Sequence, residues 1–183
     1  MEAPSQHRMF QRSRVAEMAL VGAGVVSGLA LTAAVWLIVY PRLPEPTGSW
    51  PPSERLLLVA RLLVWPAAWM FALVIAVANS RTLLDALNPL RRRETRFIDT
   101  TIRVLKNTTE QTVIFALALL AFSVVGELEA VKVAPLLTGL FVLGRVLFWV
   151  GYLIDPMYRG TGLWVTWAVN GGMIVYVLHA QMS

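Results

Sequence analysis

Residues 103–125 have the sequence RVLKNTTEQTVIFALALLAFSVV, and this stretch decides which fold the chain adopts. Its second part, Thr112–Val125, is almost wholly apolar, whereas Arg103, Asn107 and Glu110 precede it at spacings of four and three residues. Because residues three and four apart share one face of a helix, the pattern predicts an α-helix whose polar stripe leads into a membrane segment. Ionisable groups inside a bilayer are costly and usually face a protein interior or a water-filled cavity. The stripe therefore predicts a buried polar site.

A second polar set ends another apolar run further along the chain. Arg145, Phe148 and Tyr152 follow each other at helical spacing, and Pro156 and Arg159 come directly after the run. These residues also share one face of their helix. Two such stripes near one membrane face predict a site for an anionic, polar ligand.

The composition is that of a membrane protein. Of the 183 residues, 57% are hydrophobic and only 15% are charged, and the length suits one compact helical domain. The chain has no cysteine, so disulfides, thiolate metal sites and a cysteine nucleophile are excluded, and a reacting thiol must come from a ligand. The two histidines stand near opposite termini, and we predict no metal site. The net charge of +5 is better explained by basic membrane-flanking loops than by binding to nucleic acid.

The apolar segments predict an all-α integral membrane bundle with five transmembrane helices. A span needs about 20 residues to cross a hydrocarbon core of about 30 Å. The third span reaches this length if its helix begins near Arg96. The apolar segments are Val15–Tyr40, Leu56–Ala78, Thr112–Val125, Val133–Ile154 and Leu163–Leu178. We expect a basic tail at 1–14, an additional helix at 15–40 that is retained rather than cleaved, a proline-rich external loop at 41–55, and a four-helix domain at 56–183. In the additional helix, Gly24 and Gly28 predict close packing against another helix.

The distribution of arginine and lysine predicts the orientation. Five crossings place the amino-terminal tail on the same side as the loop after the second helix and the loop that holds Arg159. This side carries most of the basic residues: Arg8, Arg12, Arg14, Arg81, Arg91, Arg92, Arg93, Arg96 and Arg159. The opposite side carries Arg42, Arg55 and Lys132. By the positive-inside rule, the amino terminus is predicted to be cytoplasmic, at the inner membrane if the protein is bacterial.

Three features carry the predicted chemistry, one ion pair and two single residues, and each has a simpler alternative. An ion pair between Glu110 and Arg145 would compensate two buried charges, or would merely hold two helices together. Arg159, at the start of the last helix, would add to the positive end of a helix dipole and lower the pKa of a bound thiol, or would be an ordinary basic flank. Tyr152 would donate a hydrogen bond to a ligand, or would anchor its helix at the membrane interface.

In these residues the sequence resembles the MAPEG superfamily, the membrane-associated proteins of eicosanoid and glutathione metabolism. The resemblance covers roughly Leu56–Ser183, and the extra amino-terminal helix is similar to that of the mattrin-like branch. It implies a homotrimer of helical bundles in the lipid bilayer, with glutathione bound between subunits near the cytoplasmic face. It also implies a transferase or peroxidase activity toward a lipophilic small molecule.

The resemblance assigns roles to individual residues. It implies that glutathione is bound by Arg103, Asn107, Glu110, Arg145 and Tyr152, with Arg81 a further candidate for one of its carboxylates, and that Arg159 stabilises the thiolate. Gln111 and Phe148 depart from the family pattern: several members have tyrosine in place of Gln111, and tyrosine or histidine is frequent in place of Phe148. The segment from Tyr152 to Arg159 is also shorter than in some members.

Two other functions remain as alternatives. The departures at Gln111 and Phe148 favour a lipid-binding or scaffold protein that has the same fold without catalysis. A small transporter with Glu110 and Arg145 in its substrate path is disfavoured, since the sequence has no internal repeat and no interrupted pair of spans.

Overall fold

The computed structural model describes residues 13–83 and 95–182, and all regular structure in these ranges is helical. The predicted basic tail, apart from its last two residues, and the run Arg91–Arg93 lie outside the described residues. The helices are α1 (Arg14–Val39), α2 (Pro52–Leu62), α3 (Val64–Leu83), α4 (Arg96–Val125), α5 (Glu127–Ile154) and α6 (Gly160–Met182). A short 3-10 turn, Tyr40–Arg42, follows α1.

Within residues 13–83 and 95–182, five helical segments are long and apolar enough to cross a membrane, as predicted. Helices α2 and α3 together form one of these segments, and the break between them falls at Leu63. Pro66 explains the break, because it lacks an N–H and its ring clashes with the carbonyl group four residues earlier, that of Leu62.

Two helices begin earlier than hydropathy predicted. Helix α2 begins at Pro52, inside the predicted external loop, and α5 begins at Glu127 rather than at Val133. Both helices begin with a polar turn, which a hydropathy average does not detect. Proline suits the first helical position, and acidic residues in the first turn are stabilised by the positive end of the helix dipole. Arg55, predicted in the loop, lies in α2, and its Nη1 donates to the carbonyl oxygen of Val124 in the last turn of α4 at 3.2 Å.

One end of the bundle, here called the basic end, carries Arg14, Arg81, Arg96 and Arg159 at or next to the ends of helices. Arg96, the first residue of α4, donates from Nη2 to the carbonyl oxygen of Ile154 at 3.3 Å. This bond ties the beginning of α4 to the end of α5, so that the polar parts of both helices meet at the basic end.

Helix α6 packs closely on two neighbours through glycines. A Cβ atom built on Gly162 would lie 2.2 Å from the backbone nitrogen of Phe148 and 2.4 Å from the carbonyl oxygen of Gly144, both in α5. On its other side, Gly24 and Gly28 of α1 contact the first turns of α6, which confirms the packing predicted for this pair. The end of α5 and the beginning of α6 are therefore held at fixed separation.

Candidate functional site

Arg145 lies fully buried between α4, α5 and α6. Its Nη1 donates to Oδ1 of Asn107 at 2.9 Å. Its Nε and Nη2 donate to the hydroxyl oxygen of Thr166 at 2.9 and 2.6 Å, and that hydroxyl donates in turn to the carbonyl oxygen of Gly162. Buried polar groups need such partners, and this network joins three helices through one side chain.

The predicted ion pair between Glu110 and Arg145 is wrong. Glu110 is exposed, and neither it nor Arg103 bonds to another residue in the described part of the chain. Asn107, one helical turn before Glu110, faces α5 instead and accepts the bond from Arg145. At about 100° per residue, Asn107 is rotated by roughly 40° from Arg103 and roughly 60° from Glu110 around the axis of α4. This offset lets Asn107 face α5, while Arg103 and Glu110 remain exposed.

Two aromatic rings connect Arg145 with Arg159. The Cζ atom of Arg145 lies 4.7 Å from the centre of the Phe148 ring, and that ring meets Tyr152 edge to face at 5.9 Å. The Cζ atom of Arg159 lies 4.9 Å from the centre of the Tyr152 ring. We call these four residues the arginine–aromatic row. Cations are attracted to the faces of aromatic rings, so each ring helps to place the arginine beside it.

The turn between α5 and α6 brings Arg159 to Tyr152. The side chain of Asp155 accepts from the backbone nitrogen of Met157 at 2.8 Å, and its carbonyl oxygen accepts from that of Tyr158 at 2.9 Å. A Cβ atom on Gly151 would lie 2.5 Å from the carbonyl oxygen of Tyr158, so glycine is required for the turn to fold back on α5. This turn returns Arg159 to the face of α5 that carries Tyr152.

Arg159 immediately precedes α6, as predicted. Its carbonyl oxygen accepts the first bond of the helix, from the backbone nitrogen of Leu163 at 3.1 Å. The backbone N–H groups of the first turn have no partner within the helix, and the helix dipole makes this end positive. Arg159 is half-buried and stands next to the positive end of α6, so this end of the bundle has the charge that suits an anion.

The remaining predicted residue, Arg81, is half-buried in the last turn of α3. Leu73 of α3 packs with Val104 of α4, and the two helices run in opposite directions. Arg81 is two turns further toward the basic end than Leu73, about 12 Å along the axis. Along the bundle axis, Arg81 therefore lies closer to the first turn of α4 than to Arg103.

Thr166 and Asn170 are polar residues of the bundle interior that sequence reasoning missed. Both are buried, and Asn170 donates from Nδ2 to Oε1 of Gln111 at 3.1 Å and to its carbonyl oxygen at 3.3 Å. With Gly162 they recur every four residues, so one face of the apolar helix α6 is small or polar. That periodicity is the signal that would have found them. It also explains Gln111, whose side chain bonds to α6 inside the bundle.

The bond between Gln111 and Asn170 leads to a stability prediction. Gln111→Leu should lower the free energy of unfolding by about 1 kcal/mol, because the buried Asn170 amide loses its side-chain acceptor and keeps only the bond to the backbone carbonyl oxygen of residue 111. Adding Asn170→Leu should recover much of the loss, since both polar partners are then replaced. Thermal unfolding in detergent, followed by circular dichroism, measures both. A double variant no more stable than the single one would contradict the interpretation.

An apolar cavity of about 260 Å³ lies elsewhere in the bundle, between α1, α4, α5 and α6. Its lining includes Trp36, Phe122, Leu137 and Met173, and the lining residue of α6 nearest to Arg159 is Ala168, nine residues away. At 1.5 Å per residue this is roughly 13 Å. The cavity is therefore separate from the arginine–aromatic row.

Membrane-length helices that enclose one arginine and place a second at a helix start define a multi-pass membrane protein with a cationic site at one end. Residues 57–179, about two thirds of the chain, match the model of the MAPEG family, and the chain belongs to this family. The match begins within α2 and leaves α1 outside. No curated protein and no solved structure matches the chain.

Proposed function

We propose that this protein is a glutathione-dependent membrane enzyme, a transferase or peroxidase acting on a lipophilic electrophile that enters from the bilayer. Membership of the MAPEG family makes a glutathione-related membrane function the expected class. The observation that carries the specific proposal is the position of Arg159, against Tyr152 and beside the first turn of α6. No thiol of the chain competes with the ligand's thiol, since the sequence has no cysteine.

The chemistry follows from stabilising a thiolate. Cationic surroundings lower the pKa of a thiol, and the thiolate is the nucleophilic form. In conjugation the sulfur forms a bond to the electrophilic carbon, and the leaving group departs with its electron pair. In peroxide reduction the O–O bond of a lipid hydroperoxide breaks, one oxygen leaves as the alcohol and the other as water, and two glutathione molecules supply the two electrons and two protons and become the disulfide. In both reactions we assign Arg159 to hold the thiolate and Tyr152 to donate a proton.

The other ends of glutathione have complementary groups available. Glutathione carries two carboxylates and one ammonium group; we assign the carboxylates to Arg103 and Arg81 and the ammonium to Glu110. Oδ1 of Asn107 is occupied by Arg145, which leaves the amide N–H groups of Asn107 to donate to the ligand. Arg145 is fully buried in the described part of the chain and has no exposed atom for a ligand to contact. We therefore assign it the role of positioning Asn107 and Phe148.

We further propose that the site is completed in a homotrimer, at the cytoplasmic face. Arg103 and Glu110 are exposed on α4, and Val113, Leu117 and Val124 continue the exposed surface along the helix. Charged side chains facing lipid are costly, whereas a neighbouring subunit and a bound ligand would cover them together. The α4 surface is thus the side on which we expect the neighbouring subunit.

Arg145→Met separates positioning from stability. Arg145 has only neutral hydrogen-bond partners among the described residues, so its burial carries a desolvation cost without an ion pair to offset it. An apolar residue of similar size should change the free energy of unfolding by less than about 1 kcal/mol, or increase it. Glutathione affinity should fall roughly tenfold, because the Asn107 amide loses its fixed orientation. Calorimetric titration measures the affinity for glutathione, and thermal unfolding measures the stability. An unchanged affinity would contradict the positioning role of Arg145.

Turnover tests the proposed function itself. Protein purified in detergent is mixed with glutathione and, in separate assays, an aryl halide or a lipid hydroperoxide, and loss of the electrophile is followed. We expect consumption that depends on both protein and glutathione. Lipid binding without any turnover of either electrophile class would favour the scaffold alternative instead.

A further inference from the structure

Helix α1 contacts the part of α6 that adjoins the cationic site. A Cβ atom built on Gly24 would lie 2.9 Å from Cα and 3.2 Å from the carbonyl carbon of Gly160, the residue after Arg159. One turn on, a Cβ atom on Gly28 would lie 2.7 Å from the carbonyl oxygen of Thr161 and from Cβ of Trp164. The backbones of α1 and α6 therefore touch, and no side chain separates them.

A hydrogen bond fixes the same contact. The hydroxyl oxygens of Ser27 and Thr161 are 2.7 Å apart. Ser27 lies between the two glycines in sequence, and Thr161 is in the first turn of α6. This bond opposes both sliding and rotation of α6 relative to α1, because either movement would separate the two hydroxyl groups.

The turn that carries Arg159 is thus enclosed from two sides. Gly151 and Gly144 of α5 pack against Tyr158 and Gly162, while Gly24 of α1 packs against Gly160. Neither side has a flexible side chain that could absorb a shift, since most contacts are between backbone atoms. The position of Arg159 consequently depends on α1 as well as on α5.

We propose that α1, which lies outside the family match, is a positioning element of the Arg159 site, with Gly24, Ser27 and Gly28 as its positioning residues. It holds the first turn of α6 at the separation that keeps Arg159 against Tyr152. This inference rests on the proposed function for its catalytic consequence. The mechanical part, that α1 orders the turn, is independent of glutathione.

The mechanical part is tested by crosslinking and hydrogen exchange without ligand. Because the chain has no cysteine, the double variant Ser27→Cys/Thr161→Cys reports on this contact alone. We expect mild oxidation to form an intramolecular disulfide, whereas Leu29→Cys/Thr161→Cys, on the opposite face of α1, should keep its thiols free. In Gly24→Ala, amide exchange of residues 155–163 should accelerate. Gly22→Ala is the matched control, since its Cβ would meet nothing within 4 Å.

The catalytic part is tested on the same glycine variants. Gly24→Ala should lower kcat roughly tenfold and raise the apparent pKa of the bound thiol, while the Kd for glutathione changes less than about twofold. Ser27→Ala should also lower kcat and raise the apparent pKa of the bound thiol. Ser27→Thr should restore both values, because threonine keeps the hydroxyl group. Gly22→Ala should behave like wild type in every assay.

The outcomes separate the two proposals. A Gly24→Ala variant with lower thermal stability but unchanged kcat, thiol pKa and exchange would overturn the positioning role, leaving α1 a purely structural helix. A wild-type protein with no turnover and no thiolate signal would overturn the proposed function, and the catalytic role of α1 with it. In that case the exchange data still show whether α1 orders the turn.

Discussion

Replacing Arg159 by alanine is expected to lower kcat/KM by about 100- to 1,000-fold, the loss seen when one preorganised charge-stabilising donor is removed. Arg159 is the only predicted site residue that lies both next to the start of α6 and against the Tyr152 ring. Without it, a bound thiol should lose the cation that we propose stabilises its thiolate, and should remain protonated at neutral pH. Binding of glutathione should weaken much less, because we assign its carboxylates and its ammonium group to other residues. The measurement is steady-state turnover with a lipophilic electrophile.

Two companion variants sharpen this prediction. Arg159→Lys keeps the charge but loses the planar guanidinium, and it should retain an intermediate rate. Arg14→Ala removes an exposed arginine from the same end of the bundle. Arg14 lies ten residues before Gly24, about 15 Å along α1 from the contact with Gly160, so its loss should have no effect on rate. An Arg159→Ala variant that keeps more than half of the wild-type rate would contradict the assignment.

Gly162→Ala is expected to lower the free energy of unfolding by about 3 kcal/mol or more, or to prevent folding. The added Cβ atom would lie 2.2 Å from the nitrogen and 2.7 Å from Cα of Phe148, and 2.4 Å from the carbonyl oxygen of Gly144. These are backbone atoms of α5, so only separation of the two helices can relieve the overlap. That separation would also break the network around Arg145, which includes the Gly162 carbonyl.

Gly171→Ala is the matched control on the same helix. Its Cβ atom would meet nothing within 4 Å, and alanine is the better helix former by up to about 1 kcal/mol. Its stability should therefore equal or slightly exceed that of wild type. Thermal unfolding in one detergent compares the two variants directly. Equal stability of Gly162→Ala and Gly171→Ala would mean that α5 and α6 do not pack as closely as described.

Hydropathy and helical spacing predicted the number of spans, the helical start near Arg96 and the position of Arg159 at the start of α6. These features depend on local sequence. The break at Leu63 was also legible, because Pro66 stands within the span, but a window of mean hydropathy does not respond to a single proline. Helix starts at Pro52 and Glu127 were missed for the same reason, since their first turns are polar.

The partner of Arg145 was not predictable from spacing alone. Asn107 and Glu110 are one turn apart on α4, and charge favoured Glu110, but which residue meets α5 depends on the rotation of α4 about its own axis. Packing sets that rotation, and it directs Asn107 inward. Thr166 was missed because a single threonine in an apolar helix is unremarkable until its regular spacing with Gly162 and Asn170 is considered.

The central claim is that Arg159 and the start of α6 stabilise the thiolate of glutathione. The direct measurement is the ultraviolet absorbance of the thiolate, recorded as purified protein is titrated with glutathione over a range of pH. A free cysteine thiol has a pKa of about 8.5. In wild type we expect the thiolate of the bound ligand to appear well below that pH, and in Arg159→Ala we expect the transition to return toward it. A wild-type protein that shows no thiolate signal and cannot be distinguished from Arg159→Ala would contradict the account.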